Sequence, residues 1–190
     1  HHGPKSAYVI GDYDSNGWPQ HGRDRALMKL RKGFAFMYAG DTHLPTIVNH
    51  GVEEWADAGW AFCVPSIAAG YPRSWLPGFI GNHQPGMPDY TGDFKDGFGN
   101  KITVQAAANP TKVYKENESV LAGDPEVFYN KRSGYGIVRL DKRAGEITME
   151  CYPLTSGPKE EQMEGWPFTI NYMKNNGRAA VAYLPELKIE

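Results

Sequence analysis

Two hydrophobic patterns in the first third of the chain predict one helix and two strands. Residues 23–31 carry good helix formers with two leucines three positions apart, which predicts a helix that ends near Gly33. Residues 34–39 and 60–64 are uninterrupted apolar runs of strand length. Such runs are typical of strands covered on both faces, so we expect two adjacent, buried strands of one sheet.

Strand patterns return in the second half of the chain. Residues 102–108 and 135–141 are apolar and β-branched, while residues 147–152 alternate between apolar and polar positions. A short glycine-containing loop joins the last two segments, which predicts a β-hairpin over about residues 135–152 in the same sheet. Residues 180–184 indicate one more strand.

The connections between these elements are of two kinds. Residues 51–58 predict a short helix. Residues 71–100 are rich in glycine, proline, asparagine and aspartate and show no period, which predicts a long functional loop because passive connections are shorter. The expected class is α/β of the α+β kind, a mixed β-sheet flanked by helices, in one unit over residues 1–190.

Composition narrows the classes of function. The 190 residues include 41% hydrophobic and 22% charged residues, as in ordinary globular proteins. A net charge of −2 gives no basic excess for a nucleic-acid scaffold, and we expect no membrane span and see no signal peptide in this chain. The two cysteines, Cys63 and Cys151, cannot form a disulfide framework or a zinc ribbon, although one bridge between them is open.

The strongest local signal for chemistry is the sequence Gly-Asp-Thr-His at residues 40–43, directly after an apolar strand. Asp41 and His43 are two residues apart in a loop, where a carboxylate and an imidazole can face one cation. Oxygen and nitrogen ligands of this kind suit iron, zinc, manganese or calcium. The alternative is that Asp41 caps a helix and His43 is a surface residue.

Two shorter motifs resemble signatures of metallophosphatases but fit less well. They are Gly-Asp at residues 11–12 and Gly-Asn-His at residues 81–83. The second follows the strand that ends in the Asp41 loop, whereas the superfamily places it before that strand. We therefore interpret both motifs as coincidence or loop chemistry.

Longer strings resemble the late part of the alkaline phosphatase D (PhoD-like) family of metallophosphatases. The resemblance covers most of the chain and rests on several unusual strings rather than on one motif. These strings are DSNGWPQ at 14–20, GDTHL at 40–44, DAGWAFCVPSI at 57–67, YPRSW at 71–75, PGMPDYTGDF at 85–94, DGFGN at 96–100, GYGIV at 134–138, CYP at 151–153 and GWP at 165–167.

The resemblance implies the C-terminal portion of a calcineurin-like fold, in which two facing sheets flanked by helices hold a site of two or more metals. It implies metal-dependent hydrolysis of phosphate mono- or diesters, with iron, calcium, zinc or manganese as cofactor and a periplasmic or secreted location. Metal-ligand roles carry over to Asp41 and His43 alone. The remaining ligands would lie in an N-terminal part, so this chain alone should be inactive, and no catalytic residue is assigned.

Other residues give weaker signals for a functional role. Arg73 suits a substrate-binding role, gripping the phosphate of a small phosphate ester, or else it is a surface arginine stacked on an aromatic ring. We expect Asp41 and His43 to converge near Arg73, and His50 and His83 to be exposed loop histidines. The expected partner is the N-terminal remainder, or a second copy. Rival interpretations are a catalytically inactive ligand-binding domain and a structural β-rich domain.

Overall fold

The computed structural model describes residues 17–67, 72–78, 85–112 and 124–172. These residues form two helices and two β-sheets, which confirms the α+β class. The helices are α1 (Gln20–Lys32) and α2 (Pro125–Asn130). The strands are β1 (Met37–Ala39), β2 (Thr46–His50), β3 (Trp60–Cys63), β4 (Gly92–Lys95), β5 (Lys101–Ala107), β6 (Gly134–Asp141), β7 (Glu146–Pro153) and β8 (Phe168–Asn171).

Helix α1 confirms the first prediction from the sequence. Basic side chains in its last turn, including Lys29 and Lys32, complement the negative end of the helix dipole. The helix ends at Lys32 and is capped by Gly33, whose N–H donates to the Leu30 carbonyl at 3.1 Å. Neither helix of the described part is long and apolar enough to cross a membrane.

The five-stranded sheet has the order β1-β3-β2-β5-β4. Strand β1 runs parallel to β3, while β2 is antiparallel to both β3 and β5. Strands β1, β3 and β5 therefore point the same way, and their carboxyl ends meet at one edge of the sheet. The sequence at 40–43 leaves the sheet at that edge.

The apolar run at residues 34–39 is an edge strand rather than a buried one. The predicted pairing of this run with the run at 60–64 is confirmed, because Tyr38 lies opposite Phe62 in parallel register. The predicted burial is wrong: β1 has only three residues, and the Tyr38 side chain is 75% exposed. Among the described strands, only β3 pairs with β1, so β1 lies at the edge of the described sheet. Phe36 is the residue of this run that packs against the core.

The helix predicted at residues 51–58 is wrong, because this segment is the turn between β2 and β3. The turn closes with His50 N–H on the Gly59 carbonyl at 3.0 Å and Ala58 N–H on the His50 carbonyl at 2.9 Å. The Asp57 carboxylate then accepts the N–H groups of Val52, Glu53 and Glu54 at 2.6 to 3.1 Å. With those donors taken by a side chain, the segment folds as a capped turn.

A β-bulge in β5 places side chains that are two residues apart on opposite faces of the sheet. Ile47 pairs with Ala106 and Val48 pairs with Val104, so Gln105 is an extra residue. Ala106 consequently faces one hydrophobic cluster and Val104 faces the other. The predicted strand at 102–108 is confirmed, but its alternation changes phase within it.

The predicted hairpin is confirmed in β6 and β7, but it does not belong to the sheet of β1 and β3. It forms a second sheet with β8, in the order β6-β7-β8. The glycine at 136 allows the two sheets to approach closely, because a Cβ there would lie 2.8 Å from a Val64 methyl and 2.9 Å from the Phe62 ring. A single sheet would have left the apolar face of β7 uncovered.

The main hydrophobic core lies between the two sheets, since both contribute to one cluster. A smaller cluster covers the opposite face of the five-stranded sheet. The main cluster contains Ile47, Trp60, Phe62, Ala106, Ala108, Ile147, Met149, Cys151, Met163, Trp166 and Ile170, and the smaller one contains Leu44, Trp75, Phe94 and Val104.

The segment predicted as one long loop at 71–100 contains strand β4, which pairs antiparallel with β5. Trp75 anchors the described part of the loop, with its ring NH on the Tyr90 carbonyl at 3.0 Å and an edge-on contact with Phe94. Strand β2, helix α2 and strand β8 were missed. The strand predicted at 180–184 lies outside the described residues.

Both cysteines are free thiols, so the bridge left open by the sequence is not formed. Cys63 is half-buried and Cys151 is fully buried, and burial raises the pKa of both thiols. We expect N-ethylmaleimide to label native Cys151 roughly 10³-fold or more slowly than unfolded chain, because labelling requires unfolding. Cys63 should react first. Peptide mass mapping against time checks this, and equal rates at the two thiols would contradict the burial described.

Candidate functional site

The loop at residues 40–45 crosses over the carboxyl end of β3. It must do so because β1 and β2 lie on either side of β3. Two hydrogen bonds from residues that follow β3 hold the start of this loop: Val64 N–H donates to the Ala39 carbonyl at 2.8 Å, and the Ser66 hydroxyl donates to the Gly40 carbonyl at 3.2 Å. The loop that carries Asp41 and His43 is therefore a bridge held at the edge of the sheet.

Asp41 and His43 occupy different environments on this bridge. Asp41 is exposed, whereas His43 is half-buried and has a left-handed backbone with φ of 57°. Left-handed backbone is uncommon outside glycine, and histidine is among the residues that adopt it more readily. The conformation turns the chain sharply between β1 and β2. Convergence of the two side chains on one point stays a prediction.

Arg73 is placed beside this bridge by a backbone contact. Its N–H donates to the His43 carbonyl at 3.1 Å, which joins the segment 72–78 to the loop at 40–45. The three candidate residues named from the sequence thus lie in adjoining segments at one edge of the sheet. Sequence separation alone gave no reason for this proximity.

The Cys63 thiol lies beneath the bridge. Burial raises its pKa, and the nearby Asp41 carboxylate acts in the same direction, while hydrogen bonds from Thr42 and Leu44 oppose both. The thiol is a weak donor to the Val64 carbonyl at 3.9 Å. Cys63 is therefore a half-buried thiol at the end of β3.

Asn109 extends the same edge toward β5. Its side chain accepts the Trp75 N–H at 2.8 Å and donates to the Trp75 carbonyl at 3.0 Å. Its backbone carbonyl accepts a hydrogen bond from Arg132 Nε at 3.1 Å. Asn109 was not singled out from the sequence; the only available signal was an Asn-Pro pair after a strand, which marks the end of that strand.

The described residues offer few of the side-chain donors that a metal site would need. Asp41 and His43 have suitable oxygen and nitrogen donors, but the described ranges contain no group of three or more His, Cys, Asp or Glu side chains that could hold an ion. Catalytic metal sites in proteins use about three protein ligands. Asp12, Asp14 and His83 lie outside the described residues. Asp41 and His43 are thus two donors, fewer than such a site uses.

His50 is part of strand β2 rather than of an exposed loop, so that prediction is wrong. Its ring Nδ1 lies 3.4 Å from an Arg23 Nη atom. Burial and the Arg23 guanidinium lower the pKa of His50 to about 3. A neutral imidazole beside a cation, at the opposite end of β2 from the bridge, is a structural feature.

The tryptophans contribute to packing to different degrees: Trp60 and Trp166 are buried in the main core, and Trp55 is half-buried with its ring NH on the Phe94 carbonyl at 3.2 Å. Trp18 is 52% exposed and lies 5.6 Å from Phe98 between ring centroids. Trp18 therefore covers a loop rather than the core.

Comparison of the chain with protein families, with curated proteins and with solved structures gives no match.

Proposed function

We propose that this chain supplies part of the active site of a metal-dependent phosphoesterase that hydrolyses phosphate mono- or diesters. The observation that carries the proposal is the bridge at residues 40–45, which holds Asp41 and His43 over the carboxyl end of β3 with Arg73 hydrogen-bonded to its backbone. The resemblance to PhoD-like proteins supports the same assignment, because it concerns these positions.

The chemistry divides between the metal and the chain. Bound metal ions would supply an activated water as nucleophile and would offset charge on the phosphoryl group. Asp41 and His43 would contribute an oxygen and a nitrogen ligand. Arg73 would bind the phosphoryl group through its planar guanidinium, which can donate two parallel hydrogen bonds to two phosphoryl oxygens.

In this proposal, the described residues supply only part of the metal ligands of the active site. Two ligands are too few for two cations, so further ligands must come from residues outside the described ranges or from a longer protein. Within the described sheet β1 is an edge strand, which is consistent with an additional strand beside it, since edge strands are commonly covered.

The test compares this chain with a version extended upstream in its source gene. We expect metal and phosphatase activity only in the extended version, assayed with p-nitrophenyl phosphate and bis-p-nitrophenyl phosphate in the presence of Fe, Zn, Mn or Ca. Asp41→Asn and His43→Gln in the extended version should each remove bound metal and activity together. Metal content is measured by elemental mass spectrometry after desalting.

Asp24→Asn serves as the matched control, because Asp24 is a carboxylate on α1, distant in sequence from the bridge and ion-paired to Arg23. It should leave metal content and turnover unchanged. Equal turnover by the two lengths of chain would contradict the shared site. Full metal content in Asp41→Asn and His43→Gln would refute the assignment of ligands and favour a binding or structural domain.

A further inference from the structure

A groove of about 340 Å³ opens at the end of the second sheet where the turn between β6 and β7 lies. Its apolar lining contains one residue from the segment between α1 and β1 and three from the second sheet or directly after it. These residues are Phe34, Leu140, Ile147 and Tyr172. None of them belongs to the proposed phosphoesterase site, so the groove is a separate feature of the fold.

Leu140 lies on the core-facing side of β6 but is mostly exposed. Side chains alternate along a strand, and Val138 of β6 packs against the main core. Leu140 is two residues further along on the same side, and it pairs with Ile147, which belongs to that core. The Leu140 side chain is nevertheless 73% exposed. An apolar groove beside such a residue marks a surface to which another segment binds.

The described part of the chain ends at this groove. The Asn171 side-chain Nδ2 donates to the Ala144 carbonyl at 3.1 Å. The Tyr172 N–H donates to the Gly145 carbonyl at 3.0 Å. These two hydrogen bonds hold the end of β8 against the turn between β6 and β7, with Tyr172 in the wall of the groove. Residues 173–190 follow in the sequence, so the C-terminal segment starts at the groove itself.

The sequence of the C-terminal segment matches such a groove. Residues 179–184 read AAVAYL, a run without a charged or polar side chain except for the tyrosine hydroxyl. An Asn-Gly pair precedes the run at 176–177, and this pair is a strong signal for a tight reversal of the chain. A reversal there brings Val181 back beside Tyr172, because each residue is four positions from the pair.

We propose that the C-terminal segment of this chain occupies the groove, with the side chains of Val181 and Tyr183 against Leu140 and Phe34. Residues two apart in an extended segment point the same way, so Val181 and Tyr183 enter the groove together. A cavity of about 150 Å³ holds benzene, so a groove of about 340 Å³ has room for the tyrosine ring and a small aliphatic side chain.

The connection at Tyr172 favours this occupant over a free protein or a second copy. A segment joined to its binding surface by a short linker has an effective concentration in the millimolar range, which a separate molecule rarely reaches. The run at 179–184 begins only a few residues after Tyr172, and an extended chain advances about 3.3–3.6 Å per residue. The run therefore reaches every part of the groove.

The first measurement is NMR spectroscopy of the unmodified 190-residue chain. We expect NOEs from the Val181 methyls and the Tyr183 ring to the Leu140 methyls. Amide hydrogen exchange at 181–183 should be at least about tenfold slower than in a random coil, since burial of one such side chain shifts an equilibrium by that factor or more. A sample that mixes labelled and unlabelled chains should show no NOE between copies.

Two variants test the two sides of the contact. Replacing both Val181 and Tyr183 with serine should abolish the slow exchange and should raise the fluorescence of the dye 1-anilinonaphthalene-8-sulfonate several-fold, because the groove becomes accessible. Leu140→Ser, at an exposed position, should also abolish the slow exchange at 181–183. Leu187→Ser is the matched control, because it removes an apolar side chain of the same segment outside the run, and it should leave exchange and fluorescence unchanged.

Random-coil exchange at 181–183 in the unmodified chain would overturn the proposal. NOEs between copies would show that a second copy occupies the groove. Slow exchange that persists in Leu140→Ser would show that the run is buried elsewhere. Both of these results contradict the proposal as well. If the double serine variant does not fold, Leu140→Ser and the unmodified chain still decide the question.

Discussion

Replacing Phe62 with alanine is expected to lower the free energy of unfolding by about 3–5 kcal/mol. The Phe62 side chain is completely buried between the two sheets, 6.3 Å from Trp166 between ring centroids. The substitution removes the buried ring and leaves a cavity where β6 approaches most closely, at the glycine at position 136. Neighbouring backbone cannot collapse fully into that space because both sheets are hydrogen-bonded.

The matched control is Tyr38→Ala, since Tyr38 lies directly opposite Phe62 in the register of β1 and β3. Its side chain is 75% exposed, so the same kind of truncation should cost no more than about 1 kcal/mol. Urea unfolding followed by tryptophan fluorescence and circular dichroism measures both. A Tyr38→Ala variant as unstable as Phe62→Ala would show that β1 is covered in solution.

Replacing Arg31 with methionine is expected to cost about 3–5 kcal/mol at neutral pH, because it leaves a buried carboxylate without its cation. The Arg31 and Asp57 side chains are each 4% exposed, and Arg31 Nη1 lies 3.3 Å from Asp57 Oδ2 and 2.8 Å from Glu53 Oε2. This contact joins α1 to the turn between β2 and β3. Arg25→Met, on an exposed face of α1, should change stability by no more than about 0.5 kcal/mol.

The cost of Arg31→Met should depend on pH. Burial alone would raise the pKa of Asp57, but hydrogen bonds from the Val52 and Glu54 backbone, with the Arg31 charge, hold it below its usual 3.8. A depressed carboxyl pKa contributes stability above 3.8 that is lost as the pH falls through the folded-state pKa.

Without Arg31, burial regains weight and the Asp57 pKa rises, so Asp57 becomes neutral sooner as the pH falls. The difference in unfolding free energy between Arg31→Met and the unmodified chain should therefore shrink below about pH 4. Denaturant unfolding at pH 7 and at acid pH checks this. A pH-independent difference would mean that the carboxylate of Asp57 does not depend on Arg31.

Only some features of the candidate site could be predicted from the local sequence. The Gly-Asp-Thr-His string indicated a loop after a strand, and the structure places it there, directly after β1. The string could not show that the loop crosses β3, because β3 enters the sheet between β1 and β2 from a later part of the chain. Arg73 was named for its chemistry, and its position beside His43 follows from a single backbone hydrogen bond.

A pocket of about 160 Å³ beside Arg132 could not be predicted from the sequence, for a related reason. Asp89, Asn109, Arg132 and Glu164 belong to four segments, and each residue by itself reads as an ordinary surface or turn position. No spacing rule joins them, since only the packing of α2 and the loop at 88–90 against the end of β5 brings them together. Tertiary contacts thus created this pocket.

By itself, the sequence determined the elements whose signals are local. Helix α1, strands β3 and β5, and the β6–β7 hairpin follow from periodicity and from turn residues, because hydrogen bonds and side-chain spacing within a short segment favour them. The tertiary structure decided which sheet each strand joined and which apolar run was left at an edge. Those outcomes depend on tertiary contacts and not on local periodicity. Hydrogen bonds to the Asp57 carboxylate stabilise a turn at residues 51–58, where a helix was predicted. The glycine at 136 allows the β6–β7 hairpin to pack as a second sheet, where a single sheet was predicted.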